Sequence, residues 1–124
     1  MPPSKTILLV EDHELNVKLI KDVLEYQGYT IVVSGLGAST LDLAREHRPD
    51  LILLDIQLPD IPGTEAARQL KADDQTCEIP VIAVTAFAMK GDDAEFLASG
   101  FDAYIAKPFN VREFVQTIDN MVTK

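Results

Sequence analysis

Apolar residues gather in five short unbroken runs along the chain: Ile7-Leu8-Leu9-Val10, Ile31-Val32-Val33, Leu51-Ile52-Leu53-Leu54, Val81-Ile82-Ala83-Val84 and Ala103-Tyr104-Ile105-Ala106. None alternates with polar residues. That pattern belongs to strands covered on both faces, as in a parallel sheet flanked by helices. Length alone does not separate such runs from pieces of buried helix; their β-branched content and their flanks favour strands.

Segments of helical periodicity lie between the runs. The first sets Leu15, Leu19, Ile20, Val23 and Leu24 on one face and Lys18, Lys21, Asp22 and Glu25 on the other, with Gly28 as its C-terminal stop. The second is opened by Gly37, carries Ala38, Leu41, Ala44 and Arg45, and ends before Pro49. The third starts near Pro62-Gly63 and turns Ala66, Ala67 and Leu70 inward. A fourth is expected from Asp92 to Ser99, with Phe96 and Leu97 inward and Gly100 as its stop. The fifth spaces Val111, Phe114, Val115, Ile118 and Val122 by three and four, behind Asn110 as N-cap. Alternation of strand and helix predicts an α/β fold: a doubly wound sheet of five parallel strands flanked by five helices, with right-handed crossovers. Its functional crevice belongs at the carboxyl ends of the strands.

Composition narrows the function. With 124 residues the chain is expected to be one domain, 1–124, with no output module after the fifth helix. Acids outnumber bases 20 to 11, a net charge of −9, which disfavours nucleic acid and anionic membrane as partners. The start, Met-Pro-Pro-Ser-Lys, does not read as a signal peptide, and every apolar run is far shorter than the ~20 residues that cross a bilayer. The single cysteine, Cys77, excludes an internal disulfide and fits a reducing, cytoplasmic setting.

The residues that close the runs carry the chemistry. Glu11 and Asp12 follow the first, Asp55 the third, Thr85 the fourth, and Lys107-Pro108 the fifth; Ser34-Gly35 closes the second blandly. In a parallel sheet these positions share one rim, so three carboxylates, a hydroxyl and an ammonium are expected in one crevice. Two carboxylates ~4 Å apart repel by about 4 kcal/mol at an effective dielectric of 20. Three together call for protons or a cation. Mg²⁺, which takes one or two carboxylates, waters and often a phosphate oxygen, fits best. A carboxylate beside Mg²⁺ and Lys107 is poised to attack phosphorus, and Thr85 is within the same rim to hydrogen-bond a phosphoryl oxygen.

These motifs resemble the receiver domain of two-component response regulators, the CheY-like superfamily. The residues that carry the likeness are Val10-Glu11-Asp12, Leu54-Asp55-Ile56-Gln57-Leu58-Pro59 with Gly63, Val84-Thr85-Ala86, and Lys107-Pro108, in that order over essentially the full length. Val10 to Asn16 and Thr85 to Asp92 are further similar to single-domain regulators of bacterial cell division and polarity. The resemblance implies a flavodoxin- and CheY-like sheet of order 2-1-3-4-5 and a phosphoacceptor switch rather than a turnover enzyme. Asp55 would receive a phosphoryl group from a kinase histidine. Asp12, Asp55 and the Gln57 main-chain carbonyl would ligate Mg²⁺, with Mn²⁺ as the alternative ion, and Glu11 would hold a metal-bound water. Glu11 stands where Asp is commoner, which leaves its direct contact with the ion open. Lys107 would pair with the phosphoryl group, and its bond to Pro108 would be cis. Thr85 and Tyr104 would move together as the switch. Partners would be a sensor histidine kinase, also acting as phosphatase, docking on Leu15, Asn16, Leu19 and Pro108, and a downstream regulatory protein on the surface of the fourth helix, fifth strand and fifth helix. A monomer is expected.

Plainer readings stand beside these. Glu11 and Asp12 also suit the N-terminus of a helix, Asp55 a strand-end turn, Lys107 a solvated loop, and Tyr104 ordinary core filling. His13, next to Asp12, reads as an exposed residue of the first helical turn, because Mg²⁺ prefers oxygen. His47 reads as a helix-end residue; Asp73, Asp74 and Glu78 read as a solvated acidic loop. Two other functions compete. A small Mg²⁺-dependent phosphatase of the haloacid-dehalogenase type also has an aspartyl nucleophile, but needs a second Asp where Gln57 stands. A flavodoxin-like FMN carrier needs a Ser/Thr/Gly-rich loop where this chain has Glu11-Asp12-His13-Glu14.

Overall fold

The computed structural model describes residues 5–56, 58–85, 100–106 and 110–122, with Thr85 and Ala106 as backbone only. The elements are β1 (Thr6–Val10), α1 (Glu14–Tyr26), β2 (Thr30–Ser34), a 3₁₀ turn (Gly37–Ser39), α2 (Thr40–His47), β3 (Leu51–Asp55), α3 (Gly63–Lys71), β4 (Val81–Thr85), β5 (Ala103–Ala106) and α4 (Val111–Val122). The helix expected from Asp92 to Ser99 lies outside the described residues. All four strand pairings are parallel, and the order is β2-β1-β3-β4-β5.

Side chains alternate across each strand and build a core on each face of the sheet. Leu8, Val10, Ile52, Leu54, Val81 and Ala83 pack with Ala44 of α2 and Ala66, Ala67 and Leu70 of α3. Ile7, Leu9, Leu51, Leu53, Ile82 and Val84 pack with Ile20 and Leu24 of α1 and Phe114, Ile118 and Val122 of α4. Both faces of β1, β3 and β4 are therefore apolar, which is why these strands read as unbroken runs. β2 departs from that expectation. It lies at the edge of the sheet, and its residues are half-buried or exposed, Val33 among the latter.

The helix ends follow their local chemistry. The Gly28 N–H donates to the Glu25 carbonyl and the Tyr29 N–H to that of Leu24. This closes α1 with a Schellman motif that needs the left-handed backbone of Gly28, at φ 98°. Asn110 caps α4 by accepting the Glu113 N–H on Oδ1 at 3.1 Å. At the start of α2 the tight turn at Gly37 precedes the helix, which itself begins at Thr40.

Three expectations are corrected. Leu15 and Leu19 point away from the core and are exposed; the inward stripe of α1 runs through Val17, Ile20, Val23 and Leu24. The sequence holds two apolar stripes, and only packing chooses between them. Val111 is likewise exposed at the first turn of α4. Asp73 is not merely solvated: it pairs with Arg45 of α2, and it accepts the Gln75 N–H at 2.8 Å. That contact ties α2 to the turn after α3.

Candidate functional site

Strand register brings the acids together. Val10 of β1 is level with Leu54 of β3, so Glu11 and Asp55, one step further along, leave the sheet side by side. On the other side of β3, Asp55 is level with Val84, and Thr85 is level with Ala106. The backbones of Asp55, Thr85 and Ala106 thus end on one rim. The side chains of Glu11 and Asp55 are buried, at 2% and 6% residue exposure, whereas Asp12 faces outward.

Ligand atoms of Glu11, Asp12, His13 and Asp55 all lie within 4.8 Å of one another. Glu11 Oε2 accepts the His13 N–H at 3.1 Å. His13 Nδ1 stands 3.7 Å from Glu11 Oε2 and 3.8 Å from Asp12 Oδ1. His13 is also the N-cap residue of α1, and its side chain makes no capping hydrogen bond. The capping reading of Glu11 and Asp12 is thereby displaced; Glu11 turns inward on the backbone of His13. Hard oxygen donors at this density suit a small divalent cation, which would offset their mutual repulsion.

The loop after Asp55 is pinned from two sides. The Gly63 N–H donates to the Ile56 carbonyl at 2.8 Å, and a β-carbon on Gly63 would stand 2.8 Å from Ile56 Cα. Only glycine permits that approach of α3 to the end of β3. Asp60, in the same loop, accepts the N–H groups of Gly37 and Ala38 at 2.8 Å each. These hydrogen bonds, that from Ala38 foremost, hold the Asp60 carboxyl below its ordinary range. A cleft of about 540 Å³ opens between this loop and Asp12-His13, lined by Ile56, Leu58, Asp60 and Pro62.

The other residues singled out in the sequence fall as follows. Tyr104 is exposed on β5, at 42%, so it does not fill the core. Leu15 and Leu19 are exposed on α1, and Asn16 beside them is half-buried. The Thr85 side chain, Gln57, Lys107 and Pro108 lie outside the described residues. His13 is exposed at the start of α1, as its place in the sequence led one to expect, and its imidazole lies beside the acidic cluster. Asp60 carried no signal in the sequence, since its partners are more than twenty residues away in the chain.

Fold and site together define a doubly wound parallel α/β domain with an acidic crevice at the carboxyl ends of β1 and β3. The response regulator receiver domain family matches residues 7–119. The chain belongs to that family, and its function class is that of a receiver domain in phosphorelay signalling. The polar-differentiation response regulator DivK of Brucella anthropi is 54% identical over 114 residues, 92% of this chain and 93% of that protein. The protein of the same name from Brucella ovis is 52% identical over 115 residues, 93% of this chain and 94% of that one. Among solved structures, the receiver domain of a sensor histidine kinase from Pseudomonas aeruginosa superposes with a TM-score of 0.90 at 33% identity, covering 98% of this chain and 100% of that chain. That structure has a magnesium ion coordinated in its active-site cleft. No helix among the described residues is long and apolar enough to cross a membrane.

Proposed function

We propose that this chain is a single-domain response regulator, a phosphoacceptor switch in which Asp55 receives a phosphoryl group from a histidine kinase. The observation that carries the reading is the buried Asp55 carboxylate standing beside Glu11 and Asp12 at the carboxyl end of β3. In the transfer, an Asp55 carboxylate oxygen bonds to phosphorus as the phosphorus–nitrogen bond of phosphohistidine breaks. The freed imidazole nitrogen takes up a proton or keeps its lone pair, according to pH. Asp12, Asp55 and the Gln57 carbonyl would hold Mg²⁺, with Mn²⁺ as a substitute and Glu11 on a bound water. Such a cation neutralises the carboxylates and the oxygens of the arriving group.

Burial of Glu11 and Asp55 keeps their charges close and raises the value of a positive partner; Lys107 would supply a second one. The new acyl phosphate carries about −1.5 to −2 charge, by analogy with other phosphoresidues. Thr85 and Lys107 would gather around it, and Tyr104 would change its packing on β5. The exposure of Leu15 and Leu19 supports the α1 surface, with Asn16 and Pro108, as the kinase-docking face. Output would pass to a regulatory protein through the face containing β5 and α4. The relatives named for polar differentiation support a role in bacterial cell polarity and division.

The test is exposure to acetyl phosphate with Mg²⁺. One acid-labile phosphoryl group per chain is expected by intact mass. Equal labelling of Asp55→Asn would end the assignment.

A further inference from the structure

We propose that the outer edge of β2 is a docking site for an extended, basic segment of another protein, which adds to the sheet as a sixth strand and lays its Lys or Arg side chains along α1. This edge is distinct from the Leu15 and Leu19 surface of α1 and from the face containing β5 and α4, and docking there does not depend on phosphorylation of Asp55.

β2 ends the sheet on one side and pairs only with β1. The Thr30 N–H donates to the Lys5 carbonyl, and the Ser34 carbonyl accepts the Glu11 N–H, so both residues turn their main chain toward β1. Main-chain direction alternates along a strand, which turns the N–H and C=O groups of Ile31 and Val33 outward. No hydrogen bond from a described residue reaches those four groups. Edge strands are commonly blunted by a charge, a Pro or a bulge. Thr30-Ile31-Val32-Val33-Ser34 has no charge and no Pro, and its register with β1 runs unbroken over all five residues.

Charge beside the edge selects the occupant. A groove of about 560 Å³ runs between β2 and α1, with Val17 and the 39% exposed Val33 as its apolar floor. Five carboxylates line it against two ammonium groups, and one of those, Lys18, is already paired with Asp22 at 3.7 Å. Glu14 and Glu25 are exposed near opposite ends of α1. They stand about 16 Å apart along the helix axis, and five extended residues span about 17 Å. An added strand places alternate side chains over the groove, where the aliphatic stems of Lys or Arg lie on Val17 and Val33 and their charges meet Glu14 and Glu25. A second copy of this chain suits the edge poorly, because each copy carries a net charge of −9.

The test uses the full chain and the peptide acetyl-Arg-Thr-Arg-Thr-Arg-amide, with acetyl-Glu-Thr-Glu-Thr-Glu-amide as its counterpart, read by amide NMR titration. The basic peptide is expected to shift the Ile31 and Val33 N–H groups and to slow their exchange with solvent about tenfold or more; the acidic peptide is expected to do neither. Val33→Pro removes an outward donor where an edge strand accepts Pro, and is expected to weaken binding about tenfold. Glu14→Gln combined with Glu25→Gln leaves the strand untouched and is expected to weaken binding about threefold. No response to the basic peptide, equal binding of the acidic one, shifts confined to Leu15 and Leu19, or full affinity in either variant overturns the proposal. A wild-type dimer in sedimentation that Val33→Pro dissolves places a second copy on the edge, and overturns it equally.

Discussion

Gly63 abuts the main chain of Asp55: a β-carbon on Gly63 would overlap the Asp55 carbonyl oxygen and also crowd Ile56 Cα. The first residue of α3 is thereby the wall behind the last residue of β3. Gly63→Ala must push α3 or the strand end aside, and such overpacking costs roughly 1–3 kcal/mol. A urea melt is expected to show that loss. Mg²⁺ affinity is expected to fall with it, because the displaced atoms belong to Asp55.

Asp60 couples the loop after β3 to the turn before α2. Hydrogen bonds from Ala38, then Gly37, lower its carboxyl below the ordinary value of 3.8. A depressed folded value means that this stabilisation is fully present above about pH 4 and is lost as pH falls through the folded value. Asp60→Ala is therefore expected to melt below wild type at pH 7. The gap should narrow as the pH is taken well under 3.8. A gap that stays constant from pH 7 to the acid limit would show that the carboxylate is not its source. Asp73, lowered chiefly by the hydrogen bond from Arg45, contributes in the same direction over the same window.

Removing the cation should expose the strain among the acids. Without Mg²⁺, Asp12→Asn is expected to be as stable as wild type or more so, since one of three mutually repelling carboxylates is gone. With Mg²⁺ at 100 times its dissociation constant, wild type should gain about 2.7 kcal/mol, and Asp12→Asn far less. Thermal melts with and without EDTA measure both. An equal gain in the variant would remove Asp12 from the cation site.

The two apolar stripes of α1 should separate by energy. Ile20 is fully buried, and Ile20→Ala is expected to cost about 2–5 kcal/mol. Leu15 is 83% exposed, and Leu15→Ala should stay within about 0.5 kcal/mol of wild type. If Leu15 instead serves the kinase, its variant should keep labelling by acetyl phosphate while losing transfer from the kinase.

Much of the architecture was legible in the residues alone. β1, β3 and β4 are covered on both faces, so their apolar runs had to be unbroken, and helices had to alternate with them. Parallel strands also share a direction, so whatever follows each run must reach the same rim. That is why Glu11, Asp12 and Asp55 could be put together from positions more than forty residues apart before any coordinates. Asn110 and Gly28 were readable too, because caps act within a few residues.

Tertiary structure alone decided the rest. A helix with two apolar stripes does not say which one faces the sheet, and packing turned Leu15 and Leu19 outward. β2 looked like its neighbours in sequence, but it is an edge strand and lies half-open. The Asp60 contacts with Gly37 and Ala38, and that of Asp73 with Arg45, join segments that share no local pattern. Local periodicity sets which elements form, while the rotation of a helix and the meeting of distant loops are set by the one packing that buries both cores.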